Sequence, residues 1–332
     1  MNICVFGCKS TTLLLSRHLL DIIGISALVT IDPVRGQRAD VADYCDIREW
    51  AEAHRVPVYS AARYDLKAST DQAFFAAQRF DIGFVMGWQR LIPDAILSTF
   101  SLGVFGMHGS AANLPIGRGR SPMNWALLEG RQVFYTNLFR YDPGVDSGDI
   151  LDTLCFTINS SDTAETLHFK NTLSMIALIR RNVTAFQSKM LNLVQQPADR
   201  ATYYPKRTPD ASLIDWDAPI DNIERFIRAV APPFNGAFSY INTTAVSITR
   251  AAIFEFDAVP LIGPAPRGQI VEVFPNGKFL VRCSGGTLII HEYHGIDRTA
   301  ITPGVQFHSH DRTLGVFPRN RHGGHDLPEA SS

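Results

Sequence analysis

Two residues far apart in the chain carry the side chains best suited to moving a proton, His108 and Asp146. His108 stands in Gly106-Met107-His108-Gly109-Ser110 and Asp146 in Gly144-Val145-Asp146-Ser147-Gly148, each flanked by glycine. An imidazole titrates near neutrality, and a carboxylate beside it orients the ring and balances the charge it gains. Together they suit a site where a proton moves; taken alone, two such residues in loops are more commonly surface groups. Between them runs Leu114-Pro115-Ile116-Gly117-Arg118-Gly119-Arg120, and two arginines set among glycines suit a substrate phosphate as well as ordinary surface charge.

Other motifs carry less chemistry. The turn Gly7-Cys8-Lys9-Ser10-Thr11-Thr12 has one glycine where a dinucleotide fingerprint needs three, and it lacks the Gly-Lys-Ser/Thr of a P-loop, so it reads as a plain tight turn. His291-Glu292-Tyr293-His294 is one residue short of a zinc-protease helix motif and falls in a strand-like run, so no metal is expected. Cys4, Cys8, Cys45, Cys155 and Cys283 are odd in number and scattered, which argues for a reducing compartment rather than a disulfide framework.

The elements that must position His108 and Asp146 follow from periodicity. Strand-like runs at Ile3–Phe6, Ile25–Ile31, Val56–Val58, Ile82–Met86 and Leu102–Met107 alternate with helical patterns at Thr11–Ile22, Ile47–Ala53, Asp71–Gln78 and after Pro93. That alternation predicts an α/β fold with a doubly wound, Rossmann-like sheet. His108 then falls just past the carboxyl end of a strand, where such sheets place their ligands. The loop from His108 to Gly119 leads to a helix at Pro122–Leu128, strands at Phe134–Arg140 and Ile150–Phe156, and one long helix from Ala164 to about Leu193.

With 332 residues the chain is long for one core, and we expect two domains. Residues 1–194 form the catalytic domain, 195–207 a polar linker, 208–296 a small β-barrel resembling the oligonucleotide/oligosaccharide-binding (OB) fold, and 297–332 a polar, poorly ordered tail with several histidines. The barrel is expected from a helix at Pro219–Val230 and five strand-like runs between Phe238 and Tyr293. A net charge of -1 argues against a large nucleic-acid surface. The start Met1-Asn2-Ile3-Cys4-Val5-Phe6 lacks a charged leader, and no apolar run approaches the ~20 residues of a membrane span, so a cytoplasmic protein without membrane or nucleic-acid partners is expected.

Taken in order, several segments resemble the folate-dependent formyltransferases, most closely the formyltransferase domain of the UDP-4-amino-4-deoxy-L-arabinose pathway. They are His108-Gly109-Ser110, Leu114–Gly119, Arg120-Ser121-Pro122-Met123-Asn124-Trp125, the Asp-x-Gly turn at Asp146, and Gly87-Trp88-Gln89-Arg90-Leu91-Ile92-Pro93. In the second half Arg207-Thr208-Pro209-Asp210, Asp215-Trp216, Arg228-Ala229-Val230 and Pro233-Phe234-Asn235-Gly236 extend the resemblance. It implies a transfer from N10-formyltetrahydrofolate to the amine of a nucleotide-linked amino sugar, for a lipopolysaccharide or other glycan, and it allows a homodimer. By carry-over, His108 polarises the formyl oxygen or relays a proton, and Asp146 orients it. Met86, Gly87, Trp88, Arg90, Leu91, Ile92, Val145 and Asp146 line the folate site. Ser110, Gly117, Arg118, Gly119, Arg120, Arg207, Thr208 and Pro209 meet the acceptor.

One departure stands out. The family pattern is Asn-x-His, and this chain has Gly106-Met107-His108, so the amide that would steady a developing oxyanion is absent from its place. The chain also has two residues more than the pattern between His108 and Pro115, which makes Asn113, or a backbone N–H freed by Gly106, the expected substitute; Asn137 and Asn124 are further candidates. Within the same chemistry, methionyl-tRNA formyltransferase and an enzyme acting on an amino-acid-derived amine remain alternatives, and so does a non-catalytic folate- or sugar-binding relative. From Lys206 to Glu292 there are eight Lys or Arg against nine Asp or Glu, a poor platform for tRNA.

Overall fold

The computed structural model describes residues 1–39, 41, 43–207, 209–256 and 263–308. The chain runs β1 (Ile3–Phe6), α1 (Ser10–Ile22), β2 (Ala27–Thr30), α2 (Pro33–Arg38), α3 (Arg48–Ala53), β3 (Val58–Ser60), α4 (Ser69–Gln78) and β4 (Ile82–Val85). It continues through α5 (Asp94–Leu97), β5 (Gly103–Ser110), β6 (Arg118–Gly119), α6 (Pro122–Leu128), β7 (Val133–Arg140), β8 (Ile150–Thr157), α7 (Ala164–Arg181), α8 (Val183–Ser188) and β9 (Tyr203–Tyr204). The remainder is α9 (Ile220–Val230), β10 (Ala237–Ile241), β11 (Thr244–Ile253), β12 (Ile270–Val273), β13 (Phe279–Cys283), β14 (Gly286–His294) and β15 (Phe307–His308). Two compact units share this chain: Met1–Gly119 with Val133–Thr157 and His168–Tyr203, and Arg120–Gln132 with Ile158–Leu167 and the residues from Tyr204 onward.

The first unit is a seven-stranded sheet in the order β3-β2-β1-β4-β5-β7-β8, with β7 and β8 antiparallel to their neighbours. Its central strands are apolar without interruption because both faces are covered. Ile3 and Val5 enter one core with Leu15 and Phe105, while Cys4 and Phe6 enter the other with Phe75 and Phe100. β5 runs three residues beyond the expected end, since β7 pairs along its whole length, Met107 with Leu138, His108 with Asn137 and Ser110 with Tyr135. His108 therefore lies inside a strand, not past its end as expected. The single long helix is likewise divided: Asn182, between α7 and α8, turns its carboxamide onto the Leu178 carbonyl at 2.9 Å and onto Asp152 at 2.6 Å. A short polar side chain that bonds back to the helix backbone favours such an interruption.

The second unit is built on a six-stranded antiparallel sheet, β12-β13-β14-β11-β10-β15, covered by α9. Ile220, Ile223, Ile227 and Val230 recur at helical spacing and bury one face of α9 against Ile248, Phe279 and Ile290. α6 packs on α9, with the Asn124 carboxamide donating to the Ala229 carbonyl at 2.6 Å, so residues 120–132 group with this unit rather than with the expected 1–194 domain. The expected poorly ordered tail also needs correcting at its start. Ile301 and Phe307 are buried, Phe307–His308 pairs with β10, and the Phe307 ring stacks on Trp216 at 5.4 Å. The rest of that tail, from residue 309, lies outside the described residues. No helix among the described residues is long and apolar enough to cross a membrane.

Candidate active site

His108 and Asp146 meet, with Nδ1 of the imidazole 3.3 Å from Oδ2 of the carboxylate and only 7% of the histidine side chain exposed. The other ring nitrogen, Nε2, lies 2.8 Å from the Gly117 carbonyl oxygen. A carbonyl only accepts, so the ring donates to Gly117 when Nε2 carries the hydrogen, and Nδ1 is the nitrogen that faces Asp146. Asp146 Oδ2 also accepts from the Gly119 backbone N–H at 2.9 Å, which fixes the carboxylate from the side of the loop. The turn that presents it is tight: Asp146 sits at φ +51°, and a Cβ on Gly148 would collide with the Arg140 carbonyl. That collision is the physical content of the Asp-x-Gly spacing.

The loop over the pair is pinned from below. Ser110 donates its hydroxyl to the Ile116 carbonyl at 2.7 Å, and Gly117 donates its N–H to the Thr202 hydroxyl at 2.9 Å. Arg118 is 3% exposed; its Nε and one terminal nitrogen bond the Gln196 carboxamide oxygen at 3.2 and 2.8 Å, and the other meets the Tyr203 hydroxyl at 3.1 Å. Gln196 in turn donates to the Asp146 and Gly148 carbonyls at 3.0 and 2.6 Å. Arg118 and Ser110, two of the residues expected to meet the acceptor, thus bond within the loop. Gln196, Thr202 and Tyr203 were hidden in a stretch whose composition reads as a linker, and no local signal sets them apart.

The amide question has a structural answer at position 106. A Cβ on Gly106 would stand 2.5 Å from the Tyr141 hydroxyl, so the phenol occupies the room a side chain there would need. Burial and the nearby Asp146 charge push the Tyr141 phenol well above its ordinary range, so it stays protonated. Gly106 is paired on both sides, with Val85 and Phe139, and its backbone groups belong to the sheet. Asn113 is exposed in the loop, and no hydrogen bond joins its amide to the pair. Asn124 is committed to Ala229, as described above. Asn137, directly opposite His108, is fully buried.

The model described as "Formyl transferase" matches residues 27–175, and the one described as "Formyl transferase, C-terminal domain" matches 206–309. The chain belongs to the formyl transferase family. Among solved structures it is similar to the N-formyltransferase of Helicobacter canadensis in complex with folinic acid and dTDP-3-aminofucose: 18% identity, TM-score 0.63, 89% of this chain and 100% of that one. A sugar N-formyltransferase of Shewanella matches at 11% identity and TM-score 0.58 over 77% of this chain and 99% of that one. HypX of Aquifex aeolicus, in complex with tetrahydrofolic acid, matches at 14% and 0.62 over 90% of this chain but 44% of that one. At these identities the likeness is one of fold.

In this formyltransferase chain the segment expected to line the folate site follows β4, the strand beside β5. Thr12 donates its hydroxyl to the Met86 carbonyl at 2.6 Å, and a Cβ on Gly7 would collide with that same carbonyl, so the lone glycine of the first turn lets two loops touch. Met86, Trp88 and Ile92 are buried, Gly87 takes φ +76°, and Leu91 is 59% exposed. Arg90 lies over the Tyr64 ring at 4.9 Å. Val145, beside Asp146, is exposed too. In the second unit Arg120 is exposed, and Arg207 lies over the Trp125 and Phe226 rings. Thr208 and the side chain of Pro209 lie outside what is described. His291 and His294 lie on β14, and among the described residues no three His, Cys, Asp or Glu gather as metal ligands.

Proposed function

We propose that this chain transfers a formyl group from N10-formyltetrahydrofolate to the amine of a nucleotide-linked amino sugar, with the His108–Asp146 pair at the reacting atoms. The contact of 3.3 Å between a buried imidazole and a carboxylate fixed by a backbone N–H carries the reading. In the transfer the amine nitrogen bonds the formyl carbon, the bond from that carbon to N10 breaks, and the proton the amine loses is balanced by the one N10 gains. Asp146 balances the positive charge on His108 as the ring takes up or passes on that proton. The loop that carries Gly117 and Gly119 bonds both members of the pair and holds them in place.

Residues after β4 fit a reduced pterin. The Trp88 indole N–H is buried without an acceptor, and Leu91 and Val145 expose apolar surface, which together suit a flat ring with acceptor atoms along its edge. When bound, the folate supplies the activated formyl group. The sugar-nucleotide half of the reading is supported by the second unit, whose Arg207 retains an unpartnered Nε, and by the fold shared with sugar N-formyltransferases over most of both chains. Its balance of charge, eight basic against nine acidic residues over 206–292, disfavours tRNA as the acceptor. A formylated sugar nucleotide suits lipopolysaccharide or other glycan assembly, and a cytoplasmic homodimer is part of the proposal.

The test is direct: incubate the protein with N10-formyltetrahydrofolate and a panel of amino-sugar nucleotides, and follow products by mass spectrometry. A mass gain of one formyl group on an amino sugar supports the proposal. Formylation of methionyl-tRNA instead moves the acceptor to that class, and folate binding without transfer to any amine makes the chain a non-catalytic relative.

A further inference from the structure

One polar atom beside the histidine has no structural employment. Asn137 stands directly across from His108 in the pairing of β5 with β7. Opposed residues leave the same face of a sheet with Cβ atoms about 4.5–5.5 Å apart, so the two side chains are neighbours. The Asn137 oxygen accepts from the Thr153 hydroxyl at 2.8 Å, and Thr153 is the residue opposite Asn137 on its other side, in β8. With its oxygen taken up from β8, the NH2 is the end of the carboxamide left to act on the side of the strand pair that His108 shares. That nitrogen is buried and makes no hydrogen bond. A buried donor left unpaired costs about 1–3 kcal/mol, and native folds rarely keep one without a use.

Position 106 is closed to a side chain by Tyr141, so the missing amide cannot enter from its own strand. It can enter from the neighbouring one. We propose that Asn137 is a catalytic residue whose amide N–H donates to the formyl oxygen as negative charge gathers there, and that Thr153 positions it. This rests on the formyl-transfer reading above. No bond forms or breaks at Asn137; it lowers the barrier as a preorganised donor, and loss of one such donor costs ~10²–10³ in rate.

The test compares the wild type with Asn137→Ala, Thr153→Val and Tyr141→Phe. With the acceptor found in the mass screen, Asn137→Ala lowers kcat by ~10²–10³ while KM for the folate stays within about threefold. Thr153→Val, which leaves the amide present but unanchored, lowers kcat about tenfold. A second readout needs no turnover: the infrared carbonyl stretch of bound 10-formyl-5,8-dideazafolate, carrying ¹³C in the formyl group, moves to higher wavenumber when Asn137 is removed. Wild-type turnover in Asn137→Ala, or a loss of rate with no change in the carbonyl stretch, overturns the proposal, as does a loss carried by Tyr141→Phe instead. Should Asn137→Ala fail to fold, Thr153→Val carries both measurements. A wild type that binds the analogue but formylates nothing defeats the formyl-transfer reading alone, and the carbonyl shift then still decides on Asn137.

Discussion

Two arginines withdrawn from solvent, one in each unit, are handled in opposite ways. Three nitrogens of Arg118 bond to Gln196 and Tyr203. Arg207 lies over two aromatic rings at 5.5 and 5.7 Å, gives one bond to the Ala211 carbonyl, and keeps a buried Nε without a partner. Its burial pulls the guanidinium down to about 10. The difference is between a cation whose donors are used within the fold and one that keeps a donor unused. Arg118 uses its fork to fix the loop over His108, whereas Arg207 keeps donor capacity that an anionic group of a nucleotide would use.

Five measurements test this contrast. The largest effect belongs to the centre that Arg118 supports: His108→Ala should lower kcat by ~10²–10⁴ with the fold intact by circular dichroism, and a loss under tenfold removes the pair from the chemistry. Next, Arg118→Met leaves the Gln196 and Tyr203 oxygens without their donor and should lower the unfolding free energy by about 2–3 kcal/mol in urea titration. Little change in stability would mean that Arg118 is no strut.

Acid pH must be separated from the behaviour of the pair. Burial, with the Lys9 charge adding to it, holds the His168 imidazole down at about 4. A histidine whose folded value is depressed takes up its proton in the unfolded chain first, so stability is full above about pH 6.5 and drains away as pH falls toward 4. We expect a loss on the order of 2 kcal/mol over that window, flattened by His168→Gln; an unchanged slope in the variant assigns the loss elsewhere.

On the other side of the contrast, Arg207→Met should raise KM for the acceptor about tenfold at unchanged kcat, and shift the unfolding free energy by less than about 1 kcal/mol. A large loss of stability would make Arg207 a second strut and erase the distinction. The smallest effect is expected of Asn113→Ala, within about twofold of wild-type kcat/KM, because that amide stands exposed and unbonded to the pair. A tenfold loss would restore it as the missing donor.

Much of this was legible in the residues. The strands at Ile3–Phe6 and Phe279–Cys283 and the helix at Pro122–Leu128 have the bounds expected of them, since each is an apolar run or helical period closed by turn residues. Glycine was informative wherever a backbone approaches closely, as at Gly7 and Gly148. The loop arginines were not separable: Arg118 and Arg120 share a local sequence, yet one is buried and the other exposed, because the groups that cover Arg118, Gln196 and Tyr203, lie far along the chain. Gln196 looked like linker because its partners lie far from it in the chain.

The residues alone established the chain's alternating elements and the glycines of its turns, properties of short windows and of residue type, and the family resemblance singled out the imidazole and the carboxylate. Tertiary structure alone decided that β7 lies against β5 in the register that sets Asn137 opposite His108, and that a phenol fills the room at Gly106. The physical reason is that strand register is chosen by the packing of whole faces, and a slip of one residue would have sent the amide to the other side of the sheet.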